Sequence, residues 1–368
     1  MFCAHISVGS KQARFHIMTR LVSPETLERL LALPEADLRF ALRRQTSTGQ
    51  NAEEIGARRA DLNTARQTLY DPRQADDALG SANAPCEMTT ATKIAPIRQS
   101  AIYEGDALAI LRRLPEAAFQ CCITSPPYWG LRDYKIQGQI GLEETLPQYL
   151  TRLGAIFSEV KRVLRDDGIL WLNIGDGYTS GNRGWRAPDK KNRARAMNVR
   201  PETPAGLKPK DLLGVPWRLA FALQDEGWYL RTDIIWNKPN AMPESVKDRP
   251  TRSHEYMFMF TKSEGYYYER TAILEENGRN KRTVWDVNTR AFPDAHFATF
   301  PPALIEPCML ASTASGDVVL DPFFGSGTVG LVAQELGRRY VGIELLPEYV
   351  DMAARRLQAT ETVIRAAA

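Results

Sequence analysis

The sequence is short of the features that would place it outside the ordinary globular class. No run approaches the ~20 consecutive apolar residues of a membrane span. The segment after Met1 carries His5, Lys11 and Arg14 where an export signal needs an apolar core, which predicts a cytoplasmic protein. The five cysteines, Cys3, Cys86, Cys121, Cys122 and Cys308, form no CxxC pair and no regular spacing, so they indicate neither a disulfide framework nor a zinc site. Net charge is also small, +3 over 368 residues, too little to imply nucleic acid by itself.

What is there is enough for one large or two modest domains: 43% hydrophobic and 25% charged residues. Residues 1–92 are rich in Ala, Arg, Glu and Gln and poor in alternating apolar patterns, and predict a helical, partly disordered extension. Ser23-Pro24 starts one helix there, with Leu27, Leu30 and Leu31 on one face, and a second begins near Pro34. Polar, small-residue stretches at 47–50 and 71–85 tie this extension loosely to the rest of the chain, and Met88 is a second candidate start.

Residues 93–368 read as the main domain. Apolar spacing predicts helices over 107–114, 147–164, 215–225 and 328–336, the long second one ending at Asp166-Asp167-Gly168 and the last at Gly337. Strands are predicted over 119–124, 168–174, 228–236, 255–261, 318–320 and 340–343. This alternation predicts an α/β fold, a doubly wound and mostly parallel sheet with a terminal antiparallel hairpin.

Asp321-Pro322-Phe323-Phe324-Gly325-Ser326-Gly327-Thr328 follows a strand and opens a helix, where glycines let backbone approach a ligand closely. Glu344 ends the next strand, where a carboxylate can accept from both hydroxyls of a ribose. Gly325, Gly327 and Gly330 also satisfy GxGxxG, so a nicotinamide-dependent oxidoreductase is the rival reading. Only about 25 residues remain beyond Glu344, fewer than the ~30 of one further βαβ unit, which argues against it. No Lys follows the glycines at the spacing of a phosphate-binding loop, and Asp321 suits a cationic ligand group.

Ser125-Pro126-Pro127-Tyr128-Trp129 follows the strand at 119–124, at the end where α/β sheets place ligands. Alone, a double proline after a strand is an ordinary turn. Its residue types nevertheless suit one task. An exocyclic amino group is a poor nucleophile because its lone pair is delocalised into the ring, and acceptors must hold its hydrogens while nitrogen rehybridises. Ser125 Oγ and the Pro126 carbonyl could do so, Pro127 stiffens the turn, and Tyr128 offers a face for an extruded base.

With these two turns in this order, the chain resembles the amino-group DNA methyltransferases of the permuted β order, in which an SPPY-type motif precedes an FGSGT-type motif. The resemblance covers about residues 101–357 and includes Glu104-Gly105-Asp106, Gly342-Ile343-Glu344 and the run from Arg231 to Lys262. It implies the Rossmann-like S-adenosyl-L-methionine-dependent methyltransferase fold with circularly permuted motifs. It further implies that Asp321, Phe323, Gly325, Gly327 and Thr328 contact the cofactor, Glu344 its ribose and Asp106 its adenine. Thr299 and Phe300 match, more loosely, the segment closing over the methionine end. Ser rather than Asp at the first motif position favours cytosine N4 over adenine N6.

The expected partner is double-stranded DNA, with either a cognate restriction endonuclease or a solitary modification role. Nine Lys or Arg against two acidic residues lie between Tyr178 and Lys210. This basic loop, with Arg183, Arg186, Lys190, Lys191 and Arg193, is expected to track phosphates beside the SPPYW turn. Lys247, Arg249 and Arg252 form a second cluster, with Asn240 available for hydrogen bonds to DNA.

Overall fold

Along the central strands, successive side chains alternate between two apolar environments, which requires a sheet covered on both faces. The computed structural model describes residues 93–179, 202–289, 300–358 and 363–365. The chain divides into two units, Met1–Met88 and Thr89–Ala368. Every described residue belongs to the second, and the helices expected at Ser23 and Pro34 lie outside the described residues.

Nine strands form one sheet among the described residues: β1 (Ala101–Glu104), β2 (Phe119–Thr124), β3 (Leu164–Ile174), β4 (Tyr229–Asn237), β5 (His254–Thr261), β6 (Val284–Asp286), β7 (Val318–Asp321), β8 (Arg339–Glu344) and β9 (Val363–Arg365). Their order is β6-β4-β5-β3-β2-β7-β8-β1-β9, and β5 alone runs against its neighbours. An antiparallel pair is expected at the end of the sheet, and β4–β5 is antiparallel, but the three-residue β6 lies outside it at the edge and pairs with β4 in parallel.

Six α-helices accompany the described strands: α1 (Ala107–Leu111), α2 (Leu146–Val163), α3 (Val215–Asp225), α4 (Pro302–Ser312), α5 (Thr328–Glu335) and α6 (Pro347–Leu357). Residues of α1, α2 and α3 share one core cluster with Phe119, Leu170, Leu172, Phe258 and Phe260. Those of α4, α5 and α6 share the other with Ile123, Trp171, Met257 and Tyr340. The central strands thus feed both layers, the doubly wound arrangement that the sequence predicts. In α2 a Thr145–Gln148 capping box and Pro147 in the first turn set the start. That helix stops earlier than its polar Asp166-Asp167-Gly168 suggests. Leu164 is already extended and begins β3, so those three residues lie within the strand.

The order of the strands fixes where a site can form. From β2 the chain moves through α2 on one face to β3, and from β7 through α5 on the other face to β8. Between β2 and β7 the connections therefore diverge, leaving a crevice at their carboxyl ends.

Candidate functional site

Both turns singled out in the sequence open into that crevice. A cavity of about 870 Å³ is lined by Ser125–Tyr128 after β2, by Asp321–Ser326 after β7, by Glu344 after β8 and by Gly105-Asp106 after β1. The two motifs are joined directly: Thr124 Oγ1, fully buried, donates to Asp321 Oδ1 at 2.6 Å across 197 residues of sequence. The same carboxylate oxygen accepts from Phe323 N at 3.0 Å, so Oδ2 takes neither bond. Burial pushes the Asp321 carboxyl up to about 7, and the nearby Glu344 adds to the shift. A carboxylate held in this way gains when a cation enters beside it.

The Gly-rich turn is shaped by backbone and by one aromatic ring. Gly325 and Gly327 have φ of +53° and +79°, values that side chains rarely adopt, and Gly327 opens α5. The Phe324 ring lies flat on Gly342, where an added Cβ would come within 2.2 Å of it, and stacks on Tyr340 at 5.6 Å. From α6, Arg356 Nη1 donates to Ser326 O and to Thr328 Oγ1, both at 3.1 Å, stapling the turn from behind. Gly330 serves packing: a Cβ there would meet the Phe324 ring at 2.7 Å.

Glu344 is 9% exposed and accepts from Gly325 N at Oε2 and from Leu346 N at Oε1, both at 2.8 Å. Each oxygen keeps a lone pair beyond its amide, the geometry for a vicinal diol. Burial raises its pKa as well. Asp106 caps α1 by accepting from Ala109 N at 2.9 Å, while Gly105 N donates to Glu344 O at 2.8 Å, tying β1 to β8 at this rim. Tyr134 and Tyr349, not anticipated from the sequence, meet edge to face at 6.4 Å on the same wall.

At the other end of the cavity the SPPY turn is tightly held. Tyr149, fully buried in α2, donates its hydroxyl to the Pro127 carbonyl at 2.8 Å, so that carbonyl is occupied. Tyr128 donates to Glu255 Oε2 at 2.7 Å, and burial and the Glu255 charge raise its phenol well above the ordinary range. The Ser125 side chain shares a hydrogen bond with the same phenol. Glu255 also pairs with Lys238, whose ammonium lies 4.1 Å from the centre of the Trp236 ring. Lys238 and Glu255 stand at the facing ends of β4 and β5. Both belong to the run from Arg231 to Lys262, but only the hairpin brings them to Ser125.

The remaining sequence candidates divide. Arg183, Arg186, Lys190, Lys191, Arg193 and Thr299 lie outside the described residues. Phe300 lines the cavity. Lys247 is exposed, and Arg249 stacks on Tyr178 at 3.9 Å while bonding Glu244. Arg252 is a wall residue with a side chain only 14% exposed, and its Nη1 is buried without a hydrogen-bond partner among the described residues. Asn240, expected to be available to DNA, instead exchanges hydrogen bonds with Thr289.

A family model described as DNA methylase matches residues 119–355. The chain is 71% identical over 277 residues to the Type II methyltransferase M.XycI of Xanthomonas campestris pv. cyanopsidis, covering 74% of this chain and 92% of that one. It is 57% identical over 267 residues to M.SmaI of Serratia marcescens, covering 71% and 91%. Among solved structures, the DNA modification methylase TTHA0409 of Thermus thermophilus, complexed with S-adenosyl-L-methionine, aligns at 26% identity with a TM-score of 0.54, over 73% of this chain and 99% of that one. The cytosine-N4-specific PvuII DNA methyltransferase shares the fold at 23% identity and a TM-score of 0.55, over 72% and 87%.

Proposed function

We infer the reaction from one premise: this chain belongs to the DNA methylase family. It is a site-specific methyltransferase acting on an exocyclic amino group of DNA, and in our reading that group is N4 of cytosine. The observation that carries the reading is the Thr124–Asp321 bond, which places the amino-acceptor turn and the Gly-rich turn in one cavity.

The cavity fits S-adenosyl-L-methionine on this chain's own geometry. Asp321 and Glu344 are buried carboxylates beside glycine backbone that a Cβ would strain, suited respectively to a cationic methionine end and to ribose hydroxyls. Asp106 and the Tyr134–Tyr349 pair stand where an adenine would lie. When bound, the cofactor supplies an electrophilic methyl on sulfonium sulfur. The bound state of S-adenosyl-L-methionine in the Thermus protein supports this fit.

On the acceptor side, Ser125 Oγ and the Pro126 carbonyl take the two amino hydrogens and turn the nitrogen lone pair toward the methyl group. Tyr149 occupies the Pro127 carbonyl, so Pro126 is the carbonyl of the pair with no such competitor among the described residues. The Tyr128–Glu255–Lys238 chain fixes the Ser125 side of the turn. Lys238 and Arg252 line the same lobe. Two cationic donors suit cytosine, whose N3 and O2 are both acceptors, better than adenine, which offers N1 alone on that edge. Lys247, Arg249 and the basic loop at 178–210 supply phosphate contacts. A cognate restriction endonuclease fits the Type II naming of the relatives.

Incubating duplex DNA with tritiated S-adenosyl-L-methionine and digesting it to nucleosides tests activity, substrate and base together. Label in N4-methylcytosine is expected. Label only in N6-methyladenine overturns the cytosine assignment, and no label in DNA overturns the reaction.

A further inference from the structure

Met242 is 72% exposed, the highest value for a large hydrophobic side chain among the described residues. A single exposed apolar side chain is ordinary, but this one has a particular place. With Ala241 and Pro243 it lines the cavity from the β4–β5 connection, on the side of Lys238, Glu255 and Ser125.

The connection is pinned at both ends. Asn240 Nδ2 donates to Thr289 O at 3.0 Å, Asn240 Oδ1 accepts from Thr289 N at 2.9 Å, and Ala241 N donates to Lys238 O at 3.0 Å. Farther along, Arg249 Nη1 donates to Glu244 Oε2 at 2.7 Å, and its guanidinium covers the Tyr178 ring. Pro243 restricts the backbone of Met242 to extended conformations. The protein therefore spends hydrogen bonds on both flanks to hold an apolar tip in solvent at the entrance a base must use.

We propose that Met242 is a wedge that enters the base stack of duplex DNA and fills the space left by the extruded base. The proposal rests on the methylase reading above, in which the base leaves the duplex before reaction. Proteins that open or kink duplexes insert apolar side chains, Met and Pro among them, between base steps. An unbranched thioether adapts to an irregular gap better than a branched side chain. Lys247, exposed in the same connection, seats it on a phosphate, so the wedge approaches with a counter-charge beside it. Leu131, 41% exposed, is the other exposed large apolar side chain on the cavity wall among the described residues, and it lies two residues beyond the Ser125–Trp129 turn.

The test uses the full chain and two duplexes carrying the site mapped by sequencing the methylated DNA. In one the target base is paired; in the other it faces an abasic position, which removes the pairing that opposes extrusion. Single-turnover methylation by Met242→Ala is expected to fall by about tenfold or more on the paired duplex and to recover to within about twofold of the parent on the abasic one. Met242→Leu is expected to restore most of the paired-duplex rate. Fluorescence of 2-aminopurine at the target position reports extrusion directly and should drop for Met242→Ala in parallel. Parent-like rates for Met242→Ala on the paired duplex overturn the wedge. Equal loss on both duplexes also overturns it, as does finding the rescued defect in Leu131→Ala alone. If the parent protein methylates neither duplex, the methylase reading fails, an outcome distinct from a failed wedge.

Discussion

Gly342→Ala isolates the packing that shapes the cofactor turn. A Cβ at this position would lie 2.2, 2.4 and 2.5 Å from Cγ, Cδ2 and Cδ1 of Phe324. Carbon atoms in contact sit about 3.5–4.0 Å apart, so the ring must retreat by roughly 1 Å or more. It has little room. Tyr340 stacks on it at 5.6 Å, and it already closes on Gly330 and Gly327 so tightly that a Cβ at either would come within 2.7 and 3.3 Å of it. Its backbone is tied to Ile343 O at 2.9 Å and accepts from Gly327 N at 2.9 Å, so moving the ring moves residues 323–327. Overpacking of this kind costs about 1–3 kcal/mol, or about 2–4 °C in Tm for each kcal/mol in a domain of this size. Because Gly325 N and Glu344 share a hydrogen bond, affinity for S-adenosyl-L-methionine should fall in the same variant. Scanning calorimetry and titration calorimetry read the two effects. Adding Phe324→Ala to Gly342→Ala removes the collision, so the double variant should lose clearly less than the sum of the singles. Parent-like Tm and affinity for Gly342→Ala, or strict additivity, would refute the reasoning.

Three further outcomes are expected at the site. Ser125→Ala should lower methyl transfer by about 10²-fold or more while leaving cofactor affinity nearly intact, because the hydroxyl acts on the base; lost cofactor binding by calorimetry would contradict that role. Asp321 is pushed by burial from its ordinary 3.8 to about 7, so its contribution to stability is complete below the lower value and is lost as pH rises through the upper one. The parent should therefore lose Tm relative to Asp321→Asn across that window. Binding of the cationic cofactor should strengthen with pH over the same range in the parent, while Asp321→Asn leaves only what Glu344 contributes. A pH profile identical in parent and variant would refute the assignment. Lys247→Ala should weaken DNA binding with little sequence dependence and reduce the slope of log affinity against log salt by about 0.9, measured by fluorescence anisotropy; an unchanged slope would remove it from the phosphate contacts.

The units legible in the sequence were those whose local pattern and tertiary role agree. The strand at β2, the long α2 and the β7–turn–α5–β8 unit emerge within a few residues of their expected bounds, because apolar periodicity, capping residues and Gly337 all point the same way. The start of β3 does not, since Asp166-Asp167-Gly168 reads as a break between helix and strand while Leu164 has already joined the sheet. That switch is set by pairing of Phe119 with Leu164, which no local pattern reports. The helix α4 carries Pro307 inside it, against local propensity, and it was not anticipated. Within the site, single-motif residues were visible from their types. Tyr149, Lys238 and Glu255 were not, because each works through a partner distant in sequence: the Pro127 carbonyl, Glu255, and the Tyr128 phenol.

The strand order also determines when the site can exist during synthesis. β1 and β2 are successive strands, yet β7 and β8 lie between them in the sheet. A growing chain that has made Thr124 must wait for Asp321 and Glu344 before either carboxylate meets its partners. At ~5–20 residues per second that wait is roughly 10–45 s. Through it, the inner edges of β1 and β2 carry unpaired backbone groups of the kind that invite pairing with another chain. Methylating competence consequently cannot precede the synthesis of β8, the strand that carries Glu344 and fills the gap between β1 and β7.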